Sequence, residues 1–373
     1  MKKTIIATLT LSTLTFGALV GTPAIHAASN VTKPAIAESS QASMKKAIDQ
    51  FLQSKQFNGT LLVAQNGKIV MSKGYGDSDF ATQSKNNTDT IFRVGSITKQ
   101  MTAVAIMQLA EKGKLSLDDK VSKFIPEFKE GDKITIRQLL SHTSGISDSI
   151  FAARVESAPF EYTSPDELMK MYYDLKLDSE PGTKFSYSNI GYHMLGYIIQ
   201  KTSHTSWDNY LTENIFKPLN MTRTGIDLNV PVQSNHAVGF EVDGEPALFE
   251  DRSYMFGTGA VYSTVEDLLK FDQAVTSGKL ISQASFTTMV TPVGSNNYGL
   301  GWADGARLKK SSDWKWHNGE TAGFLGFHAV NLKTNTEVIL LSNKNIDANE
   351  YSGVIAGGVI DIVEKTAINP EKP

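Results

Sequence analysis

A serine and a lysine one helical turn apart stand at the start of a strongly apolar segment. Residues 93–99 read RVGSITK, and QMTAVAIMQLAEKGKL follows. On a helix, positions i and i+3 share one face, so the Lys99 amine can reach the Ser96 hydroxyl. A buried lysine has a lowered pKa and can take the proton of a serine, which then becomes a nucleophile. The alternative is an N-cap serine beside a lysine whose amine extends to solvent.

Ser-x-x-Lys occurs three times in the chain, and the surroundings distinguish the three copies. Ser43–Lys46 lies next to a serine-rich stretch, and Ser312–Lys315 lies in a polar turn before a strand. Only the copy at Ser96 opens a helix pattern, which runs to Gly113 with apolar residues over most of its circumference. Gly113 stands where a C-terminal glycine ends a helix. We therefore predict a central, buried helix with this serine and lysine at its start.

Two tripeptides add to this pair, and each occurs once in the chain. Tyr187-Ser188-Asn189 lies within FSYSNIGY and is the only Tyr-x-Asn. His317-Asn318-Gly319 lies within WKWHNGETAGF and is the only His-x-Gly. Ser-x-x-Lys alone proves little, and these two further motifs add weight to the copy at Ser96.

Other kinds of catalytic site lack their motifs. There is no Gly-x-Ser-x-Gly for an α/β-hydrolase, and we interpret His142 in SHTSG as a structural loop histidine rather than a member of a Ser-His-Asp triad. The absence of cysteine excludes a thiol nucleophile. No His-Glu-x-x-His or Gly-x-Gly-x-x-Gly occurs, so we predict neither a metal site nor any cofactor.

The ordered set Ser-x-x-Lys, Tyr-x-Asn and His-x-Gly resembles that of the serine penicillin-recognising enzymes. This family includes penicillin-binding proteins, class C β-lactamases, D-alanyl-D-alanine carboxypeptidases and D-peptidases. LLSHTSGI (139–146) and GTGAVYSTVEDLLKF (257–271) are also similar to stretches common in the class C branch. The resemblance spans about residues 55–345. It implies an α+β fold of the β-lactamase/transpeptidase type.

The resemblance implies catalytic roles for three residues. Ser96 attacks the substrate carbonyl and becomes acylated, and Lys99 accepts or relays its proton. Tyr187, which we expect to lean toward the phenolate form beside Lys99, carries protons to the leaving group and later to water.

The resemblance also implies the substrate-binding residues. Asn189 orients the substrate amide. An edge strand with His317, Asn318 and Gly319 pairs with the substrate backbone and faces its carboxylate. The backbone N–H of Glu320 and that of the nucleophile form the oxyanion hole.

The chain departs from the class C pattern at one motif, because His-Asn-Gly stands where most class C β-lactamases have Lys-Thr-Gly. An ordinary histidine has a pKa near 6.5. We therefore expect the charged His317 to bind a substrate carboxylate and the neutral form to relay protons, with the titration between about pH 5 and 9. We expect the positive charge of Lys99 to lower the pKa of His317 and a bound carboxylate to raise it again. We also expect poor turnover of β-lactams after acylation.

The N-terminal residues indicate export. Lys2 and Lys3 precede an apolar run, and TPAIHAAS offers small residues for cleavage after Ala27, so residues 1–27 are interpreted as a signal peptide. A membrane anchor is the alternative, but no second long apolar stretch follows and we expect no transmembrane anchor. The formal net charge of −3 gives no indication of a nucleic-acid partner. We predict a flexible spacer at 28–45 and one hydrolase domain at 46–368.

The remaining patterns predict strands at both chain ends and helices between them. Apolar runs flank Asn66-Gly67 and Thr334-Asn335, which are typical of hairpins. Residues 297–303 (NYGLGWA) and 313–319 are further predicted strands, and 351–365 a closing helix. We expect one antiparallel sheet built from both ends, with flanking helices and a mainly helical inserted region at about 115–285.

The function expected is that of a secreted, monomeric serine hydrolase acting on D-amino-acid peptides, such as peptidoglycan D-Ala-D-Ala termini, with β-lactams as covalent ligands. Association with a Gram-positive type of cell wall fits this substrate. The alternatives are an esterase acting on small esters or on D-alanyl esters of wall polymers, and a class C-like β-lactamase. A non-catalytic penicillin-binding sensor is disfavoured because Lys99 and Tyr187 are both present.

Overall fold

The computed structural model describes residues 32–157, 161–227, 235–248 and 251–367. The strands are β1 (Gly59–Gln65), β2 (Lys68–Tyr75), β3 (Asp77–Asp79), β4 (Ser84–Lys85), β5 (Phe92–Arg93), β6 (Gly225–Ile226), β7 (Val261–Ser263), β8 (Ala303–Asp304), β9 (Trp314–Thr321), β10 (Phe324–Asn331) and β11 (Thr336–Ser342). The α-helices are α1 (Thr32–Ser54), α2 (Thr98–Glu111), α3 (Ile136–Leu140), α4 (Ser149–Ser157), α5 (Pro165–Tyr172), α6 (Asn189–Ser203), α7 (Trp207–Leu211), α8 (Val265–Thr276), α9 (Gln283–Val290) and α10 (Gly357–Ala367).

Six of the strands form an antiparallel sheet in the order β2-β1-β11-β10-β9-β8. The first and last strands of the chain are neighbours in it, with Leu62 opposite Ile339. Helices α3 to α9 all lie between residues 136 and 290, together with the short strands β6 and β7. This arrangement confirms the predicted α+β fold, with a sheet from both chain ends and a mainly helical inserted region.

Alternate residues of the sheet face two different cores. Leu61 and Val63 belong to the core that contains buried residues of α1 and α10, whereas Leu62 and Ala64 belong to the core that contains α2 and α8. Because both faces are covered, β1 and β11 are continuous apolar runs rather than alternating ones.

The two predicted hairpins are present, and their turns explain the sequence at each. Asn66 (φ 52°) and Gly67 (φ 76°) link β1 to β2 in the left-handed conformation that a two-residue hairpin turn requires. Between β10 and β11 the connection is a four-residue loop, 332–335, whose last residue, Asn335 (φ 47°), is left-handed.

Helix α2 is the buried helix that its apolar pattern predicts, since every residue from 98 to 109 is buried. The predicted start at Ser96 is two residues early, because Gly95–Ile97 forms a 3₁₀ turn that leads into the helix. After α2 the chain turns at Gly113, whose φ is 66°.

The predicted spacer and one predicted strand differ from the structure. Helix α1 begins at Thr32, inside the predicted spacer, and Met44 packs in the same core as Ile48, so the spacer–domain boundary at 45 is no break in the structure. Of the predicted strand at 297–303, only Ala303 lies in β8; the rest is bent, irregular backbone with one isolated bridge from Tyr298 to Ala303. The predicted signal peptide lies outside the described residues. Within the described ranges, no helix has both the length and the hydropathy needed to cross a bilayer.

Candidate active site

Ser96 lies in the 3₁₀ turn before α2, where the turn touches strand β9 through two glycines. A side-chain carbon at Gly95 (φ 51°) would lie 2.7 Å from the backbone nitrogen of Glu320. One at Gly319 would lie 1.9 Å from the carbonyl oxygen of Val94 and 3.1 Å from the backbone nitrogen of Ser96. Because neither glycine has a side chain, the backbone of the turn can lie against that of β9. The N–H groups of Ser96 and Glu320 belong to these two contacting segments.

The Lys99 amine is fully buried and has three hydrogen-bond acceptors. Its Nζ atom donates to Ser96 Oγ (2.9 Å), Asn189 Oδ1 (2.9 Å) and the carbonyl oxygen of Thr258 (3.2 Å). Burial lowers the pKa of Lys99 to about 7, although the negative charge of Asp148 acts in the opposite direction. The amine does not extend to solvent, so it can exchange a proton with Ser96 at neutral pH.

Tyr187 and Asn189 are brought to this pair by the start of α6. The Ser188 hydroxyl accepts the Gly191 N–H and so caps the helix. The Tyr187 ring centroid is 4.9 Å from Lys99 Nζ, and Asn189 Oδ1 accepts from the same amine. The Tyr-x-Asn and Ser-x-x-Lys motifs therefore meet in space, as predicted.

The expected phenolate character of Tyr187 is wrong. The residue is 38% exposed, but desolvation by the surrounding protein raises its pKa well above 10, although the Ser96 hydroxyl acts in the opposite direction. The negative charge of Asp148 acts in the same direction as desolvation. Tyr187 is therefore a neutral phenol at neutral pH.

The expected titration of His317 between pH 5 and 9 is also wrong. The imidazole is buried, its Nδ1–H donates to the Asn318 carbonyl oxygen (2.6 Å), and its Nε2 accepts from the Tyr298 hydroxyl (2.9 Å). Burial lowers the pKa of His317 to about 3, and the positive charge of Lys99 contributes in the same direction. His317 is therefore neutral at physiological pH and provides no positive charge for a substrate carboxylate.

Strand β9 offers a free edge beside Ser96. Among the described strands, β8 pairs only with Lys315 and Trp316 of β9, while β10 covers the opposite edge along its whole length. The side chain of Asn318 is partly exposed and that of Glu320 is exposed. The backbone of residues 317–321 can therefore pair with an extended substrate.

Two clefts meet this strand. One, of about 500 Å³, contains Ser96 and is lined by Glu241 and Glu320. The other, also of about 500 Å³, lies beside Asn318 and is lined by Arg307 and Lys309.

The other two Ser-x-x-Lys copies have no part in this site. Ser43 and Lys46 are exposed on α1, and Lys315 donates to Asp304 Oδ2 at 2.6 Å. The apolar surroundings of the copy at Ser96 were the signal that distinguished it.

His142 braces the segment that carries Tyr187. Its carbonyl oxygen accepts from the Ser186 N–H (2.8 Å), its Nδ1 accepts from the Ser188 N–H (3.0 Å), and its ring stacks on Tyr187 with centroids 4.2 Å apart. Ser96 bonds to Lys99 instead, so a Ser-His-Asp triad is not formed.

Sequence reasoning missed several participants. Asp148 accepts hydrogen bonds from the first residues of α6, and Thr258 binds Lys99 only through its backbone. Neither has a spacing signal, because an isolated aspartate and a carbonyl oxygen leave no pattern in sequence. Arg307 and Tyr298 were missed for the same reason.

The family model named Beta-lactamase matches residues 44–353. The chain belongs to the beta-lactamase family. This confirms the resemblance to serine penicillin-recognising enzymes, and the chain is a serine hydrolase of that family.

Relatives of this beta-lactamase family member include penicillin-binding proteins. It is 36% identical over 301 residues to PbpX of Bacillus subtilis (strain 168), named as a penicillin-binding protein, with 79% of this chain and 73% of PbpX covered. It is 31% identical over 322 residues to protein flp of Staphylococcus aureus (strain MRSA252), with 82% of this chain and 63% of flp covered. The chain thus spans less than two thirds of flp.

Solved structures share the fold. The octameric penicillin-binding protein homologue from Pyrococcus abyssi is 25% identical with a TM-score of 0.76, covering 87% of this chain and 77% of that one. The D-amino acid amidase from Ochrobactrum anthropi SV3, complexed with L-phenylalanine amide, is 22% identical with a TM-score of 0.74, covering 88% and 99%.

Proposed function

We propose that this chain is an exported serine hydrolase of D-amino-acid peptides, such as the D-Ala-D-Ala termini of peptidoglycan. The observation that supports it best is the 2.9 Å contact between Ser96 Oγ and the buried Lys99 amine, whose pKa is about 7. Export rests on the pattern of residues 1–27, and association with the cell wall follows from the proposed substrate.

Acylation uses the neutral form of Lys99. Its amine takes the hydroxyl proton of Ser96 as Oγ bonds to the substrate carbonyl carbon. The N–H groups of Ser96 and Glu320 stabilise the negative carbonyl oxygen. When the C–N bond breaks, the Tyr187 hydroxyl protonates the leaving amine and regains a proton from the Lys99 ammonium.

Deacylation runs through the same groups in reverse. Lys99, again neutral, receives a proton from water by way of Tyr187, and the hydroxide attacks the acyl carbon. Ser96 Oγ leaves with the proton held by Lys99, and the product is a carboxylic acid. Tyr187 suits this relay because it is a neutral phenol that can both donate and accept.

The cationic cleft beside Asn318 supports a substrate that ends in a carboxylate. Arg307 lies 4.8 Å from the centroid of the Phe185 ring and donates to the Asn296 carbonyl oxygen, which leaves other N–H groups for a ligand. A guanidinium can bind a carboxylate through two parallel N–H groups. Arg307 and Lys309 therefore take the carboxylate-binding role first assigned to His317.

A second candidate is hydrolysis of D-aminoacyl esters or amides that carry a free ammonium group. It is favoured by the acidic lining of the Ser96 cleft, where Glu241 accepts from Asn345 Nδ2 at 2.9 Å. The D-amino acid amidase with the same fold is a precedent for such an acyl group.

One panel tests these candidates: a D-Ala-D-Ala peptide, a D-alanine ester, a D-amino-acid amide and nitrocefin, each with wild type and Ser96→Ala. Ser96→Ala removes one hydroxyl, so we expect unchanged folding, no turnover and no covalent labelling by a fluorescent penicillin. Labelling that persists at another serine would refute the nucleophile.

The ranking of substrates decides the class. Faster turnover of the D-Ala-D-Ala peptide supports the first candidate, and faster turnover of the aminoacyl ester or amide supports the second. We expect nitrocefin to acylate Ser96 and to be released slowly; a kcat above roughly 10 s⁻¹, the median for enzymes, would indicate a working β-lactamase. Penicillin labelling without turnover of any substrate would favour a sensor.

A further inference from the structure

Asp148 lies just before α4 and holds the start of α6 through both carboxylate oxygens. Its Oδ1 accepts from the Ser188 hydroxyl (2.9 Å) and the Ile190 N–H (3.1 Å). Its Oδ2 accepts from the Asn189 N–H (2.7 Å) and from Asn189 Nδ2 (2.8 Å). Four donors on one carboxylate define both its position and that of the segment that binds it.

The bond to Asn189 Nδ2 sets the orientation of the Asn189 amide. Because Nδ2 is directed to Asp148, Oδ1 is directed to Lys99 Nζ at 2.9 Å. Rotation of the amide by 180° would place two donors together at Lys99 and two acceptors together at Asp148. The carboxylate therefore selects the orientation in which Asn189 accepts from the lysine.

This orientation directs the lone pair of Lys99. A neutral amine has two N–H groups and one lone pair, and Asn189 Oδ1 and the Thr258 carbonyl oxygen are two fixed acceptors. With both N–H groups donated to them, the lone pair faces the third neighbour, which is Ser96 Oγ. An amine that lost one acceptor could rotate and present an N–H to Ser96 instead.

We propose that Asp148 is a positioning residue for proton transfer, which fixes Asn189 so that the neutral Lys99 amine presents its lone pair to Ser96. This inference rests on the proposed function, in which Lys99 is the base. Asp148 touches neither Ser96 nor the substrate and acts through Asn189.

The charge of Asp148 adds a measurable effect on pH dependence. The groups around Lys99 are otherwise uncharged: the Tyr187 and Tyr192 rings lie within 6 Å of Nζ, and burial lowers the pKa of His142, His193 and His317. Asp148 is the negative charge that raises the pKa of Lys99 against burial. Its neutralisation should lower that pKa further.

The test compares the acylation rate of wild type and Asp148→Asn as a function of pH. Stopped flow with a chromogenic ester measures this rate. The carbamoyl group replaces one acceptor by a donor and removes the charge. We expect the acylation rate to fall about 10-fold to 100-fold, the range found when the hydrogen-bond partners of metal ligands are replaced. The acid limb of the profile, which is the fall in rate as Lys99 becomes protonated, should also move to lower pH because the pKa of Lys99 is lower.

Asp267→Asn is the matched control. Asp267 likewise ties a distant segment to a helix start: it is buried in the first turn of α8 and accepts from the Arg223 N–H (2.9 Å) and the Thr224 hydroxyl (3.0 Å). It also forms an ion pair with Lys270 (2.7 Å), whereas Asp148 is half-buried. The loss of Asp267 should lower the melting temperature and leave the acid limb at the wild-type pH. If Asp148→Asn had the same acylation rate as Asp267→Asn and an acid limb at the same pH, the proposal would be overturned.

Asp148→Glu keeps the test decisive should Asp148→Asn not fold. It retains the charge but displaces the carboxylate, so we expect the wild-type acid limb with a reduced rate. A wild-type rate in Asp148→Glu would overturn the positioning role. Failure of the proposed function would be visible separately, as acylation that survives Ser96→Ala or that is unaffected by Lys99→Ala.

Discussion

Lys99 is reactive because the folded chain removes it from water while supplying only neutral acceptors at contact distance. A hydroxyl, an amide oxygen and a backbone carbonyl satisfy its three N–H bonds, but none carries a formal charge that would hold the ammonium form. Desolvation therefore dominates and the pKa falls to about 7. The same desolvation acts in the opposite sense on the Tyr187 phenol, whose pKa rises.

The first prediction concerns the pH dependence of acylation. The active form of Lys99 is neutral, so kcat/KM for a neutral ester should rise with pH through about 7 and lose about tenfold per pH unit below it. His317, with a pKa of about 3, should add no limb between pH 5 and 9. Lys99→Ala should lower the rate by several orders of magnitude and abolish the limb. If the rise of kcat/KM with pH remained in Lys99→Ala, a group other than Lys99 would be responsible for it.

At the scale of elements, the site depends on the contact between the turn before α2 and strand β9. Gly95 and Gly319 allow the two backbones to approach, and the free edge of β9 beyond Trp316 leaves room for a substrate strand. The start of α6 reaches the same place because Asp148 and Ser188 cap it. Backbone contacts fix the turn, strand β9 and the start of α6 relative to one another. The side chains that perform the chemistry therefore project from elements whose positions are fixed.

The second prediction tests this backbone contact with Gly319→Ala. The added carbon would lie 1.9 Å from the Val94 carbonyl oxygen, so strand and turn must separate. The Glu320 N–H then leaves its place near Ser96, and loss of one oxyanion donor costs about 10²–10³ in kcat. Acylation by a fluorescent penicillin should slow by roughly 100-fold or more.

Gly357→Ala on α10 is the control for Gly319→Ala. An added carbon there would lie 3.6 Å from the nearest atom, an ordinary van der Waals distance. We expect labelling at the wild-type rate in this variant. Equal labelling rates in the two alanine variants would contradict a role for the strand–turn contact.

At the scale of the whole molecule, a buried polar cluster joins the sheet to the helices on one face. His328 Nδ1–H donates to Gln100 Oε1 at 2.6 Å, and His328 Nε2 lies 2.6 Å from Asp272 Oδ2 on α8. Glu337 on β11 is 1% exposed, and burial together with the nearby charge of Asp272 raises its pKa to about 8. The native protein therefore holds a proton on Glu337 that the unfolded chain, with an ordinary pKa of 4.5, does not.

The third prediction is a loss of stability with rising pH that depends on Glu337. Between about pH 4.5 and 8 the native state binds one more proton than the unfolded state at this residue, so the free energy of unfolding should fall as pH rises. The slope from this group is at most about 1.4 kcal/mol per pH unit. Glu337→Gln should remove it and be more stable than wild type at pH 8.

Urea unfolding of wild type and Glu337→Gln at pH 5 and pH 8 measures this effect, with the exposed Glu127→Gln as control. The difference between wild type and Glu337→Gln should grow from pH 5 to pH 8, while Glu127→Gln follows wild type. A difference that is the same at both pH values would mean that Glu337 is ionised in the native protein throughout.

The amino-acid sequence by itself determined the features that depend on neighbours along the chain. Turn chemistry at Asn66-Gly67 and Thr334-Asn335, the apolar circumference of α2 and the order of the three motifs predicted the sheet from both chain ends and the principal site residues. Local patterns failed at 297–303, where an apolar alternation with two glycines forms mostly irregular backbone. They also failed at Thr32–Met44, where a polar helix resembles a spacer in sequence.

Only the tertiary structure decided the ionisation and orientation of the site. Desolvation depends on what packs around a group from distant segments, so the neutral states of Tyr187 and His317 could not be inferred from an ordinary pKa. The partners of Lys99 lie 90 and 159 positions away along the chain in two cases. Asp148 became visible for the same reason, because its carboxylate binds a helix start about 40 residues later.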